Sequence, residues 1–336
     1  MTLTAVARAA GVSLGTASKV MSGREDVGAS TREAVAAIAA EMGYVARRRA
    51  PAARRRVIIV FHTLTSPYEL EVLQGAEEAA HRAGIELLIV RSKRDGVAQE
   101  VLTRSWLADE AERGVTGIVA VTTPVGPKHV RWTRELGLPM IVVDPVTDAS
   151  EVRGLVTVSA TNWEGGMEAT GHLVELGHRR IGVLAGPEDS IPAQQRVLGY
   201  RTVLEQSGLV FDPQLVVPSS FAYDAGYAGT RQLLSLPDPP SAIFAVSDTL
   251  GVGVLRTARE RGLEVPQDLS VVSFDDSMIT NWTFPQLTAV HQPLFSMGQV
   301  AVERLLALAA DPGRFAHPFK LETHLIVRES TAPPRG

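Results

Sequence analysis

From Val57 onward the chain repeats one unit: a short apolar run, a turn, an amphipathic stretch and a glycine. "VIIVF" leads into "YELEVLQGAEEAAHRAG", "IELLIV" into "QEVLTRSWLADEAERG", "GIVAV" into "HVRWTRELG", and "PMIVVD" ends the first series at Asp144. The short runs suit strands, and the stretches between them carry apolar residues at helical spacing. From Val156 the pattern resumes with "ATGHLVELGH", "IGVLAG", "GYRTVLEQSG", "SAIFAV", "GVGVLRTARERG" and "LSVVSFDD". Gly84 and Gly262 stand where two of these helices should stop, at positions that favour a residue with φ > 0. The expected fold is therefore α/β, two doubly wound parallel sheets in series. Open α/β sheets bind ligands beyond their strand ends, which directs attention to Asp144, Asp248, Asp275 and Asp276.

A chain of 336 residues, 45% of them hydrophobic, holds about two domains at roughly 100 to 200 residues each. It contains no cysteine, which excludes disulfides and thiolate metal sites and fits a reducing cytoplasm. The opening "MTLTAVARAAGVS" lacks a signal-type apolar core, and no stretch approaches the ~20 apolar residues of a membrane span. The expectation is a cytoplasmic protein with no membrane partner. Its net charge of −4 conceals a division. Up to Arg56 there are ten Lys/Arg against four Asp/Glu, whereas the remainder has 23 against 33. A basic head on an acidic body points to a polyanion partner for the head.

The head reads as three short helices. Leu3, Val6, Ala7 and Ala10 share one face before Gly11. Ser13 can cap a second helix with Ala17, Val20 and Met21 inward and Leu14, Gly15, Ser18, Lys19 and Ser22 outward. Ser30 to Glu33 reads as a capping box for a third helix ending at Gly43. Two helices about a glycine turn, the second presenting small polar groups, suit a recognition helix in a DNA major groove. A three-helix bundle that docks on a protein has the same periodicity.

"LTAVARAAGVSLGTASKVMSG" and "VGASTREAVAAIAAEMGY" closely resemble the DNA-binding head of the LacI/GalR family of bacterial transcription repressors. "GHRRIGVLAGP", "RVLGYRTVLEQSGL", "AIFAVSDTLGVGVL", "DLSVVSFDD" and "PQLTAVHQPL" continue the likeness along nearly the whole chain. The resemblance implies a helix-turn-helix domain over residues 1–45 and an arginine-rich hinge over 46–56. It further implies a two-lobed, periplasmic-binding-protein-like body, with 57–157 and 286–319 in one subdomain and 158–285 and 320–336 in the other. The crossovers would lie near Val158, Pro285 and Lys320. It implies operator contacts by Thr2, Leu14, Gly15, Thr16, Ser18, Lys19, Ser22, Tyr44, Arg47, Arg48, Arg49 and Arg54. Tyr68, Asp144, Asn162, Trp163, Arg196, Phe221, Ser247, Asp248, Asp275 and Trp282 would line an effector cleft. The implied protein is a homodimeric regulator on a palindromic double-stranded operator, controlled by a small-molecule effector.

The residues allow other chemistries. Asp275 and Asp276 could form a metal site or a hydrolytic pair, but no histidine spacing of metal-ligand type accompanies them. Asp276 suits a structural cap, and Asp248 either caps the helix from Thr249 or lines the cleft. "GVGVLR" is not a full dinucleotide fingerprint and no Walker sequence occurs, so neither cofactor nor enzyme is expected. Aromatic platforms at Tyr68, Trp163, Phe221 and Trp282, with Asp and Arg for hydroxyl edges, describe a sugar site. "ATNWEGG" is similar to the carbohydrate-responsive branch, with xylose or xylo-oligosaccharides as expected ligands. A purine-responsive regulator of the same family, or a solute-binding protein for sugar transport, are the alternatives.

The segment "ARRRAPAARRR" holds six arginines in eleven residues. Relatives have proline, asparagine and a wedging leucine here, where this chain has Ala46, Arg47 and Ala53. Pro51 falls inside the expected hinge helix and disfavours the turn before it. An alanine cannot pry open a base step as leucine does, so the hinge should bind by charge. In a salt titration, alanine at Arg47, Arg48 and Arg49 should reduce the slope of log K against log salt by about 0.9 for each phosphate no longer neutralised; an unchanged slope makes the run a bystander.

Overall fold

The apolar runs become strands because helices cover both of their faces. In β1 (Arg56–Phe61), Val57, Ile59 and Phe61 enter one hydrophobic core while Ile58 and Val60 enter another on the opposite side of the sheet. The computed structural model describes residues 2–21, 24, 26–44, 55–94, 97–98, 100–146, 154–311 and 317–335. It divides into two units, Met1–Arg54 and Arg55–Gly336. Ser22, Arg47, Arg48, Arg49, Arg54 and the hinge around Pro51 lie outside the described residues.

In the first unit α1 (Leu3–Ala9), α2 (Leu14–Met21) and α3 (Ala29–Glu41) enclose Val6, Ala7, Ala17, Val20, Val35 and Ala39. Thr2 caps α1 by accepting the Ala5 N–H at 3.3 Å, and Ser13 caps α2 by accepting that of Thr16 at 3.0 Å. The Ser30–Glu33 capping box does not form. Helix α3 begins at Ala29 with Gly28 as its cap, so Ser30 already lies within the first turn.

The second unit runs α4 (Pro67–Arg82), β2 (Glu86–Arg91), the short pair β3 (Lys93–Arg94) and β4 (Val97–Ala98), α5 (Arg104–Glu112), β5 (Val115–Val121), α6 (Pro127–Glu135), β6 (Met140–Val143) and β7 (Val156–Ala160). It continues with α7 (Asn162–Glu175), β8 (Ile181–Leu184), α8 (Ile191–Gln206), β9 (Val216–Val217), α9 (Tyr223–Leu233), β10 (Ala242–Ala245), α10 (Asp248–Glu260), β11 (Ser270–Asp275) and β12 (Thr288–His291). It closes with α11 (Leu294–Ala310), β13 (Phe319–Leu321) and β14 (His324–Ile326). Helix α5 starts later than its sequence pattern suggested because Thr103 caps it, accepting the Trp106 N–H at 3.2 Å.

The strands form two six-stranded sheets, ordered β13-β7-β6-β5-β1-β2 and β14-β12-β11-β10-β8-β9. The first is parallel throughout, and in the second the edge strand β14 is antiparallel to β12. The two lobes are interleaved along the chain rather than strictly in series, since α11 and β13 return to the first sheet. The passages between lobes also fall later than expected. Val158 still pairs with Val143 in the first lobe, so the chain leaves at Thr161. Pro285 precedes β12, which belongs to the second lobe, so the return lies at Gln292 and Pro293. Lys320 pairs with Ser159, which places the last passage at Glu322 and Thr323. Each sheet takes the whole strand before releasing the chain, because a strand cut short would leave ladder groups unpaired. Thr161 and Thr323 hydrogen-bond each other through their hydroxyls at 2.9 Å, joining the first and third passages.

Helices α7 and α8 approach closely at two glycines. A Cβ on Gly166 would stand 2.3 Å from the Arg196 carbonyl oxygen, and one on Gly199 would stand 2.3 Å from that of Trp163. Neither backbone atom can move without shifting its helix. Gly166→Ala should therefore cost about 1 to 3 kcal/mol, the usual range for overpacking. Urea unfolding should show a lowered midpoint, and an unchanged midpoint would show that the two helices separate freely.

Candidate functional site

The carboxyl ends of both sheets face each other across the lobe boundary, and the polar residues there are held in strained backbone. Thr122 follows β5 with φ 46°, Asp144 follows β6 with φ 47°, Asp275 ends β11 with φ 101° and Asp276 follows it with φ 54°. Non-glycine residues are uncommon in this region, although aspartate enters it more readily than most, and strained positions cluster at binding sites.

Arg196, on the second turn of α8, is buried at the centre of this region. Its Nε donates to Asn162 Oδ1 at 2.8 Å, Nη1 to the Val246 carbonyl at 2.6 Å and to Asp275 Oδ1 at 3.2 Å, and Nη2 to Gln292 Oε1 at 2.6 Å. The guanidinium lies 3.7 Å from the centroid of the Phe274 ring. Gln292 turns its amide nitrogen to Asp144 Oδ2 at 3.0 Å, and that oxygen also accepts the Tyr68 hydroxyl at 2.6 Å. Ser159 donates to Asp144 Oδ1 and accepts from Asn162 at 3.2 Å. A continuous chain of hydrogen bonds thus runs from Tyr68 and Asp144 in the first lobe to Arg196 and Asp275 in the second.

The loop leading into α4 and Tyr68 is tied down by Glu69. Its carboxylate accepts the Thr63 hydroxyl, the Thr65 N–H at 2.8 Å, the Ser66 N–H at 2.6 Å and the Ser66 hydroxyl at 2.8 Å. Burial and the Asp144 carboxylate push the Tyr68 phenol well above its usual range, which keeps it a proton donor. Burial, together with Asp248 and Asp144, holds the Asp275 carboxyl well above the usual carboxylate range against the pull of Arg196.

Asp248 does not cap its own helix; Ser247 does, accepting the Leu250 N–H at 3.4 Å. Asp248 instead accepts the Ser273 hydroxyl at 2.6 Å and the Ser277 N–H and hydroxyl at 2.7 and 2.8 Å, fixing the turn after β11. Asp276 also serves the frame. It pairs with Arg328 at 2.6 Å, with His291 at 3.2 Å and with the Thr280 hydroxyl at 3.0 Å.

Tyr68, Asp144, Asn162, Arg196 and Asp275 are thus joined in one network, with Ser247 and Asp248 at its margin. Phe221 packs at the end of β8, where its ring would meet a Cβ on Gly186 at 3.0 Å. Two aromatics are placed otherwise. Trp163 donates its indole N–H to Thr202 at 3.3 Å within the α7–α8 pair. Trp282 is 74% exposed, at the end of a 3-10 turn (Met278–Asn281) that carries it away from β11 to the surface. The sequence reading missed Gln292, Ser159 and Glu69. Gln292 directly follows a strand, the same signal that singled out Asp144.

On the head, Leu14 is 50% exposed and Ser18 and Lys19 lie on the outer face of α2. Thr16 is half-buried, and its hydroxyl lies 2.9 Å from that of Ser13. Lys19 pairs with Asp26 at 2.8 Å. Tyr44 packs on the helical core.

A small helical head on one unit and a polar cleft between α/β lobes on the other match the expectation drawn from the sequence. Residues 2–46 match the description "Bacterial regulatory proteins, lacI family", and residues 170–331 match "Periplasmic binding protein-like domain". Over 98% of both chains, the sequence is 33% identical to the HTH-type transcriptional regulator CelR of Thermobifida fusca. The chain belongs to the lacI family. It is a DNA-binding transcriptional regulator. The HTH-type transcriptional repressor CytR of Escherichia coli is 29% identical over 98% of this chain and 96% of its own. A solved transcriptional regulator CelR–cellobiose complex superposes with a TM-score of 0.72 at 31% identity, covering 98% of this chain and 99% of that one. The lac repressor dimer bound to operator and the anti-inducer ONPF gives 0.76 at 25% identity over 99% of each chain. Among the described residues no helix is long and apolar enough to cross a membrane.

Burial pushes the Asp248 carboxyl up to about 7, partly offset by hydrogen bonds from Ser273 and Ser277. The unfolded chain releases this proton near pH 3.8 and the folded chain only near 7, so between them the folded state binds more protons and loses stability as pH rises. Asp248→Asn removes that dependence. The stability of the wild type relative to this variant should decline from about pH 4 to about pH 7 and level off above it, as read from urea midpoints; a constant difference would place an ionised Asp248 in the fold throughout.

Proposed function

We propose that this regulator is a sugar-responsive repressor that binds a palindromic operator as a homodimer. The observation that carries the reading is the interlobe network of Arg196, Asp144, Asp275, Asn162, Gln292 and Tyr68. It offers carboxyl groups beside guanidinium, amide and phenol donors. Sugar hydroxyls both donate and accept, so they can replace these bonds at each site. The likeness to a regulator solved with cellobiose supports a carbohydrate. With Trp163 and Trp282 directed elsewhere, Tyr68 and Phe221 are the aromatic contacts retained from the sequence expectation.

Helix α2 would enter the major groove with Leu14, Gly15, Thr16, Ser18 and Lys19 toward the bases, and Thr2 and Tyr44 toward the backbone. Gly15 offers no side chain, and Leu14 suits a thymine methyl. An effector that binds one lobe arrangement better shifts the population competent for DNA, and a coupling of about 1 to 3 kcal/mol changes affinity about 5- to 150-fold. Exposed Leu88 and Ile89 on the edge strand β2, with Leu70 and Phe295 on α4 and α11, support a further chain packing on the first lobe. This reading places the protein in the compartment that holds the chromosome, with no enzymatic step.

The test is a thermal-shift screen with cellobiose, xylobiose, ribose and adenine. A ligand at 100 times its Kd adds about 2.7 kcal/mol, so a sugar should raise the unfolding temperature of the wild type and not of Arg196→Met. The same sugar should change operator affinity and be recovered intact. A response to adenine alone would replace the sugar with a purine, and a sugar response without any DNA binding would favour a transport role.

A further inference from the structure

Glu71 stands one turn beyond Tyr68 on α4, and its carboxylate crosses to the other lobe. Oε1 accepts the backbone N–H of Met278 at 2.9 Å. The turn it meets is firmly held. On one side of it Ser277 donates its N–H and hydroxyl to Asp248, and Asp276 is fixed by Arg328, His291 and Thr280. This turn begins at Asp275, whose carboxylate meets Arg196. The Glu71 contact therefore links the first turns of α4 to the turn that starts at Asp275.

We propose that Glu71 is a positioning residue for the cleft: by capturing the Met278 N–H it holds the lobes together and seats the Asp275 turn against the first lobe. Lobe approach and placement of Asp275 then become one event. Burial pushes the Glu71 carboxyl up, and the adjacent Asp276 adds to this, while the Met278 N–H and His291 act against it. Such a group gains most when its acceptor is used. The purpose of the link rests on the effector reading of the cleft, but its test needs no effector.

Because the chain has no cysteine, spin labels can be attached at Glu112→Cys and Gln232→Cys, exposed residues on α5 of the first lobe and α9 of the second. Double electron–electron resonance then reads the interlobe distance. Glu71→Ala should shift the distribution to longer distances or broaden it. Glu71→Gln keeps an acceptor oxygen and should stay with the parent. Met278→Pro removes the donor instead; Met278 opens a 3-10 turn and Ser277 before it is extended (φ −71°, ψ 170°), so proline fits there. It should open the lobes as Glu71→Ala does, and it keeps the test standing if the alanine variant fails to fold. Parent-like distances in Glu71→Ala or Met278→Pro overturn the proposal. So does a Glu71→Gln as open as the alanine variant, since charge rather than the N–H acceptor would then hold the lobes.

Discussion

The body of this protein is organised around a cation taken out of water. Arg196 is 3% exposed, and a guanidinium at that depth persists only if its donors are met. They are met by groups from several elements: Asn162 at the start of α7, the end of β10, the end of β11 and Gln292 on the second passage between lobes. Removing one member of such a buried pair typically costs about 3 to 5 kcal/mol. The same buried residue thus ties the second lobe to the crossover.

Positioning that arginine is a matter of close packing as much as polarity. Gly166 lets α7 touch the backbone of α8 at Arg196 itself. Comparable glycine contacts join α4 to α11 through Gly75 and Gly298, and α9 to α10 through Gly226 and Gly253. Helix pairs seated this tightly cannot slide past one another without backbone clashes, and separate side-chain bonds cross the cleft between the lobes. Asp144 with Gln292, and Glu71 with Met278, are two such bonds.

The frame residues show how the cleft carboxylates divide their work. Asp248 and Asp276, adjacent in sequence or space to Asp275, are both occupied by hydrogen bonds that shape the turn after β11. That turn holds Asp275 at a φ of 101°, a conformation the chain would not adopt unaided. The acidic pair that could have suggested metal or hydrolytic chemistry is thus one partner of the buried Arg196 and one buttress.

Much of this was legible in the order of residues. Strand runs, helix-ending glycines and the cap at Ser13 are local, because each depends on backbone preferences within a few residues. The candidate positions Asp144 and Asp275 were reachable as acidic residues at strand ends, whereas Arg196, within α8, was singled out by the family resemblance alone. Other features were not local. Trp163 and Trp282 have the same sequence credentials as Phe221, yet one faces a neighbouring helix and the other faces solvent, since direction depends on packing partners distant in the chain. The return of α11 to the first lobe was implied by the family resemblance, but the pairing of β13 with the edge strand β7 was not, because it joins segments as distant in the chain as Phe319 and Val158. Sequence alone determined the alternating α/β elements, the basic head and the residue types available for binding. Tertiary structure decided which of them meet, because a buried charge or a glycine contact is satisfied by atoms that the sequence keeps scores of residues apart.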